Sequence, residues 1–102
     1  MSNRKNVRFL TDVELDQIAR RFKILGEPMR LRILQSVCRQ PRTVTGIVAA
    51  TGATQANVSK HLGLLAAAGI VQRRKDGQHA YYGVKDRLAV KLCELVRAQI
   101  SE

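Results

Sequence analysis

Short polar and cationic side chains follow one another in the stretch that begins at Thr54. Val58 and Leu62 recur at the interval of one helical face, so we expect them to be buried. The side chains expected to point outward are Ala56, Asn57, Ser59 and Lys60, flanked by Gln55 and His61. One amide side chain can form two hydrogen bonds with adenine, an amino group can reach guanine acceptors, and a methyl group can contact the methyl of thymine. The stretch therefore predicts a set of side chains that read base edges from the start of a helix. Its members are Thr54, Gln55, Ala56, Asn57, Ser59, Lys60 and His61.

A second polar cluster surrounds the dipeptide Asp76-Gly77. This dipeptide is a strong signal for a two-residue hairpin turn in which both central residues have positive φ. Residues 70–75 and 79–84 have the composition of the two flanking strands. A basic hairpin beside a base-reading helix is expected to grip the DNA backbone or the minor groove. The side chains that would do so are Arg73, Arg74, Lys75, Gln78 and His79.

The charge of the chain points to the same class of partner. Eighteen Lys and Arg residues against eight Asp and Glu residues give the 102 residues a formal net charge of +10. No acidic residue lies between Pro28 and Lys75. Such a distribution indicates a polyanion, either nucleic acid or an acidic membrane surface. No signal peptide and no apolar run of membrane-spanning length is visible, so we expect a cytoplasmic protein whose partner is double-stranded DNA and not a membrane.

The elements that would position these side chains form one domain over residues 11–102, preceded by a flexible basic arm at residues 1–10. Thr11 and Glu14 predict a capping box at the start of the first helix, which Gly26 can end in a left-handed conformation. The second helix is predicted from Pro28 to the break at Gln40-Pro41. The third is predicted near residues 43–52, the fourth at 54–68 and the fifth at 86–100.

The order of these elements is that of a winged helix–turn–helix, a mainly α fold with a minor β component. Five helices are expected, with a two-stranded hairpin, the wing, between the fourth and the fifth. The third and fourth helices form the helix–turn–helix, whose second helix enters the major groove. The last helix is apolar around more than one face, which predicts that it buries the excess against another chain.

Three stretches resemble the ArsR/SmtB family of winged-helix repressors. They are residues 22–34, residues 53–62, and residues 68–77 followed by Tyr81-Tyr82. The resemblance covers residues 15–100 in one register, and three motifs at the right spacing make it specific. It implies a homodimer built on the first and last helices. It also implies a transcriptional repressor that leaves an inverted-repeat operator when an inducer binds.

The metal sites for which this family is known are missing from the sequence. Val44 to Ile47 stand where a pair of thiolates often occurs in the third helix, and the last helix has no histidine. We therefore expect no metal. Cys38 and Cys93 can be small core residues, a thiol switch that responds to persulfide or oxidants, or two ligands of a soft metal or metalloid. The sequence leaves these alternatives open.

The same residues bear on other classes of function. The net charge alone allows a non-specific architectural DNA-binding protein without an inducer. The polar side chains of Gln55, Asn57 and Ser59 favour sequence reading instead. A winged-helix module used only for protein interaction also stays open. An enzyme is not expected, because no paired carboxylates, phosphate-binding glycine loop or Ser/His/Asp arrangement is present.

Overall fold

The computed structural model describes residues 9–101. The helices and strands follow one another in the predicted order, and none of the predicted elements is missing. They are α1 (Asp12–Leu25), α2 (Pro28–Val37), α3 (Val44–Thr51), α4 (Gln55–Ala67), β1 (Val71–Asp76), β2 (His79–Val84) and α5 (Arg87–Ile100).

Each helix begins at a side chain that caps it. The predicted capping box is confirmed: the Glu14 amide donates to Thr11 Oγ1 at 3.1 Å, and the Thr11 amide donates to Glu14 Oε1 at 2.9 Å. Glu27 caps α2, whose first residue is Pro28, as predicted. Such caps satisfy amide donors that have no partner within the helix. The caps of α3, α4 and α5 are Thr43, Thr54 and Asp86.

The hydrophobic core lies between α2, α3, α4 and the base of the hairpin. Aliphatic side chains build it, as expected for a chain with few aromatic residues. Ile70 and Val71 extend it from the end of α4 into β1. The fully buried members are Ile33, Leu34, Val37, Ile47, Val58, Leu62, Leu65, Ile70, Val71 and Ala89. The core therefore packs α3 and α4 of the helix–turn–helix against each other.

The hairpin is an antiparallel pair in which Asp76 lies opposite His79. Its loop is therefore Gly77-Gln78, and only Gly77 has positive φ, at 65°. The prediction of a turn at Asp76-Gly77 with two positive φ values is wrong. A single positive φ at a glycine in the first loop position is the type II′ geometry, which fits the twist of a hairpin equally well. Asp76 consequently extends β1 by one residue.

Two other turns differ in how they use glycine. Gly26 ends α1 at a φ of −85°, so the left-handed conformation predicted there is wrong. Its amide donates to the Lys23 carbonyl at 3.3 Å, which closes the helix as a tight turn. Gly52 ends α3 at a φ of 76°, in the turn that leads to α4. There the left-handed conformation lets the chain reverse between the two helices.

The first and last helices lie at the margin of the core. In α1 no residue is buried, and in α5 only Ala89 is. Large apolar side chains on both helices are exposed, including Phe22 and Val96, each 59% accessible. The Arg21 guanidinium joins the two helices through a 2.9 Å ion pair with Asp86. This chain alone therefore leaves a substantial apolar surface uncovered on α1 and α5.

The predicted basic arm lies outside the described residues, except for Phe9 and Leu10, which are exposed. Over residues 9–101, no helix has both the length and the apolar character that a membrane crossing requires.

Candidate nucleic-acid interface

The helix–turn–helix presents one end of α4 to solvent. Thr54 accepts from the Asn57 amide at 3.1 Å and fixes the start of the helix. Val58 and Leu62 hold the opposite face in the core. The remaining first-turn amides point along the helix axis, where an anion such as a DNA phosphate is favoured. The predicted base-reading side chains that are exposed here are Thr54, Gln55, Ala56, Asn57, Ser59 and Lys60.

His61, which was predicted to read DNA from this helix, does not point outward. The side chain is buried, with 8% of its surface accessible, because it lies one helical turn from both Val58 and Leu65 on the core-facing stripe. Its Nδ1 atom lies 3.3 Å from Nη1 of Arg30. His61 therefore has no access to a base edge. The helical spacing of Val58 and Leu65 is the signal that could have placed it inside.

The wing residues divide between the two faces of the hairpin. Side chains alternate along a strand, and directly opposed residues share a face. Arg73 lies opposite Tyr82 and Lys75 opposite Ala80, so these two cations share the face on which Tyr82 packs against the core. Arg74 lies opposite Tyr81 on the other face. The predicted cluster of cations is thus two groups that point in opposite directions.

The tip of the wing combines polar and aromatic groups. Gln78 is in the loop and His79 opens β2, and both are exposed. The rings of His79 and Tyr81 are 6.3 Å apart between centroids. A short third segment supports the base of the wing, because the backbone of Arg42 pairs with that of Tyr82 through bonds of 3.0 and 2.8 Å. The segment that leads into α3 is thereby tied to β2.

The cations of the acid-free segment are not neutralised by ion pairs in the described part of the chain. The salt bridges recorded there are Arg20 with Asp16 at 3.8 Å and Arg21 with Asp86 at 2.9 Å. None of these four residues lies between Pro28 and Lys75. Lys60 and the three wing cations therefore keep their donors available for phosphate and base acceptors.

Arg30 is the polar residue near this interface that the sequence analysis does not single out. Its Nε atom donates to the Ile24 carbonyl at 2.7 Å, and Nη2 donates to the Lys23 carbonyl at 3.4 Å. Both carbonyls belong to the last turn of α1. The Arg30 amide also donates to Glu27 Oε1 at 3.1 Å, and this bond is the main reason that the pKa of Glu27 is lowered. In the sequence, Arg30 is a cation in the first turn of α2, and nothing distinguishes it there from the other cations of the segment.

The two cysteines are brought to one place. Cys38, at the end of α2, and Cys93, in α5, are half-buried and line the same pocket. Burial, assisted by the neighbouring charge of Glu94, raises the pKa of the Cys93 thiol. The pocket is otherwise lined by Leu31, Leu34, Gln35, Val90, Glu94 and Arg97.

The donor set does not fit a closed metal site. Over residues 9–101, no group of three His, Cys, Asp or Glu side chains is placed to hold a metal ion. Two thiols are fewer ligands than the four that a structural soft-metal site uses.

Three features define a winged helix–turn–helix protein of the DNA-binding class. They are the exposed polar N-terminus of α4, the preceding helix α3 that a glycine turn joins to it, and the basic hairpin beside these helices. The model of the family described as "Bacterial regulatory protein, arsR family" matches residues 27–73. The chain belongs to this ArsR family of DNA-binding transcriptional regulators, and the family is not one of enzymes.

Individual relatives agree with this assignment. The chain is 39% identical over 82 residues, 80% of its length, to a "Probable mercury resistance operon repressor" of Streptomyces lividans, of which the match covers 66%. It is 34% identical over 88 residues, 86% of its length, to an HTH-type transcriptional regulator of Mycobacterium tuberculosis, of which the match covers 39%. The chain thus spans about two thirds or less of these curated relatives' length.

A solved structure shares the whole fold. It is the homodimeric winged helix-turn-helix DNA-binding domain of a Mycobacterium bovis protein. The match has a TM-score of 0.79 and 31% sequence identity, and it covers 94% of this chain and 92% of that chain. The predicted fold, five helices with a hairpin wing between the fourth and the fifth, is confirmed.

Proposed function

We propose that this regulator is a homodimeric repressor that reads an inverted-repeat operator through α4 and the wing. The observation that carries the proposal is the exposed start of α4, where the amide side chains of Gln55 and Asn57 face solvent together with Lys60, which forms no ion pair within residues 9–101. Amide and hydroxyl side chains distinguish bases, whereas a purely architectural protein needs only cations. The mixture at this helix end therefore favours sequence-specific binding.

The dimer in this proposal uses α1 and α5. A groove between the two helices is lined by Phe22, Leu92, Val96 and Ile100, and much of this apolar surface is exposed in a single chain. A second copy would remove it from water, which is the main force in such associations. The homodimeric state of the Mycobacterium bovis domain supports a dimer, and the name of the Streptomyces lividans relative supports repression.

Selection of duplexes from a random library tests the proposal. We expect the protein to enrich an inverted repeat whose half-sites are centred about 10 base pairs apart, or a multiple of that spacing. An enriched sequence without two-fold symmetry would contradict the dimeric mode of reading. No enrichment at all would instead support the architectural alternative, in which affinity depends on salt but not on sequence.

The pocket shared by Cys38 and Cys93 favours a second element of the proposal, which is that a thiol-reactive signal releases the operator. The two side chains come from α2, which packs against the helix–turn–helix, and from α5, which belongs to the proposed dimer surface. Modification of either thiol would place a new polar group in this pocket and change the surroundings that the end of α2 shares with α5. The pocket thereby connects a chemical signal to the dimer.

Operator affinity of the reduced protein is to be compared with that after treatment with persulfide, with peroxide and with a soft metal ion. We expect at least one treatment to weaken operator binding, and Cys38→Ser or Cys93→Ser to abolish that response. If all treated forms bind as the reduced protein does, the cysteines are core residues and no thiol signal exists.

A further inference from the structure

The recognition helix α4 contains one polar side chain that faces inward. His61 occupies a position on the buried stripe that the other members, Val58, Leu62 and Leu65, fill with aliphatic groups. A buried polar ring needs a partner, and the partner of Nδ1 is Nη1 of Arg30 at 3.3 Å. Because a guanidinium can only donate, Nδ1 is the acceptor in this contact. The contact is therefore directional, unlike the aliphatic packing around it.

The other end of the Arg30 guanidinium is fixed to a different helix. Nε bonds the Ile24 carbonyl at 2.7 Å and Nη2 the Lys23 carbonyl at 3.4 Å, at the C-terminal end of α1. Helix C-termini favour a cation, because their last carbonyls lack partners within the helix. The backbone of Arg30 is in turn held by the Glu27 cap at 3.1 Å. One side chain thus joins the end of α1, the start of α2 and the middle of α4.

We propose that Arg30 and His61 are positioning residues for DNA reading, which set the orientation of α4 relative to α1 without touching DNA themselves. This inference rests on the proposed operator binding through a dimer. In that dimer the two copies of α1 belong to the subunit contact, so any rotation of α4 against α1 changes the spacing between the two recognition helices. Two half-sites can be read together only at one spacing.

The contact is expected to affect discrimination more than general affinity. Non-specific binding depends on the number of phosphates that the Lys and Arg side chains reach, and it tolerates small rotations. Base contacts are short and directional, so they are lost when the helix is tilted. Loss of the Arg30–His61 contact should therefore lower the ratio of operator affinity to scrambled-DNA affinity.

The test uses His61→Leu and His61→Asn, which differ in whether residue 61 offers an acceptor. Leucine matches the neighbouring core side chains, whereas the amide oxygen of asparagine can accept from Arg30 near the position of Nδ1. We expect His61→Leu to lower the specificity ratio by about tenfold, His61→Asn to retain most of it, and both to bind scrambled duplex as the unchanged protein does. Dimer mass and urea midpoint are recorded for each variant.

Arg30→Met tests the other side of the contact, with Arg32→Met as its matched control. Arg32 lies on the same helix and is exposed, so its replacement removes the same charge without the contact. We expect Arg30→Met to lower the specificity ratio as His61→Leu does, and Arg32→Met to leave it unchanged. The variant with both Arg30→Met and His61→Leu should have a ratio no lower than either single variant, because both remove the same contact. If Arg30→Met does not fold, the two His61 variants decide alone.

Equal ratios for His61→Leu, His61→Asn and the unchanged protein would overturn the positioning role while leaving operator binding intact. A ratio of one for the unchanged protein would instead overturn the proposed function, so the two failures are distinct.

Discussion

At the scale of single residues, Asn57 is exposed in the first turn of α4, and its backbone N–H donates to Thr54 Oγ1, which leaves the side-chain amide free to contact a base. We expect Asn57→Ala to weaken operator binding by about 1–3 kcal/mol and to relax the preference at one base position. Gln17→Ala, at an exposed amide on α1, is the matched control and should leave binding unchanged. Fluorescence anisotropy with duplexes that vary at each position makes the measurement. A uniform loss over all sequences would mean that Asn57 contacts only the backbone.

The surroundings of Cys93 determine how much of this thiol is ionised. Burial, with the carboxylate of Glu94 as the second cause, raises the pKa of this thiol, so less of it is the reactive thiolate at neutral pH. Glu94→Gln removes the negative charge, and we expect the pKa of Cys93 to fall. Alkylation of Cys93 by iodoacetamide, followed by mass spectrometry at neutral pH, should then be faster than in the unchanged protein. An unchanged rate would show that burial alone controls the thiol.

The sequence predicted which side chains of α4 are exposed at most positions but not at all of them. The solvent-facing side of α4 was predictable, because Val58 and Leu62 define the buried face of the helix. The prediction failed at His61, since a polar residue type was given more weight than its place on the same face. The contact of Arg30 with α1 and α4 could not be read from the sequence, because it joins residues 31 positions apart through packing alone.

At the scale of the elements, Gly52 and Gly63 form a matched pair. A Cβ atom would meet nothing within 4 Å at either position, so the backbone conformation alone decides the effect of alanine. Gly52 has a φ of 76°, and we expect Gly52→Ala to lower the free energy of unfolding by roughly 1–2 kcal/mol. Gly63 lies within α4, and Gly63→Ala should raise it by roughly 0.4–1 kcal/mol.

Urea unfolding of both variants at one protein concentration makes this measurement, because the stability of a dimer depends on concentration. Two changes of the same sign would contradict the left-handed turn between α3 and α4.

The cap of α2 predicts how stability depends on pH. Amide bonds, first from Arg30 and then from Met29, hold the pKa of Glu27 below its ordinary value of 4.5. A lowered pKa in the folded state means that the stabilisation is present above about 4.5 and is lost as the pH falls through the folded value. We expect Glu27→Gln to be less stable than the unchanged protein at pH 7, and the difference to shrink in acid.

Urea midpoints of both proteins between neutral pH and acid measure this difference, with Asp16→Asn on the exposed face of α1 as a control. A difference that stays constant with pH would show that the cap acts without its charge.

The elements themselves were largely predictable, for reasons that are local. Four helices are capped by a side chain that bonds an amide only two or three residues further along the chain. The capping residues are Thr11, Thr43, Thr54 and Asp86. The errors concern the backbone conformation of turns, because more than one turn type can end a helix or join two strands. Gly26 closes α1 without positive φ, and the wing turns at Gly77-Gln78 instead of Asp76-Gly77. Arg73 and Arg74 lie on opposite faces because side chains alternate along β1, whereas their partners Tyr82 and Tyr81 follow from the register that the turn determines.

At the scale of the whole molecule, the exposed apolar surface of α1 and α5 predicts a dimer that charge can disrupt. We expect Phe22→Asp and Val96→Asp each to convert the dimer to monomers, because either variant would bury an unpaired carboxylate in the subunit contact. Leu64→Asp is the matched control, since Leu64 is an exposed apolar residue on α4 and lies outside this surface. Light scattering after size-exclusion chromatography measures the mass.

Retention of the dimer by both Phe22→Asp and Val96→Asp would place the subunit contact on another surface. A monomeric unchanged protein would contradict the dimer itself.

The most direct measurement is a pair of anisotropy titrations at about 150 mM salt, one with the selected operator and one with a scrambled duplex of the same composition. If α4 and the wing read sequence, the operator should bind at least about a thousandfold more tightly. Equal affinity for the two duplexes would contradict sequence reading by this winged helix–turn–helix.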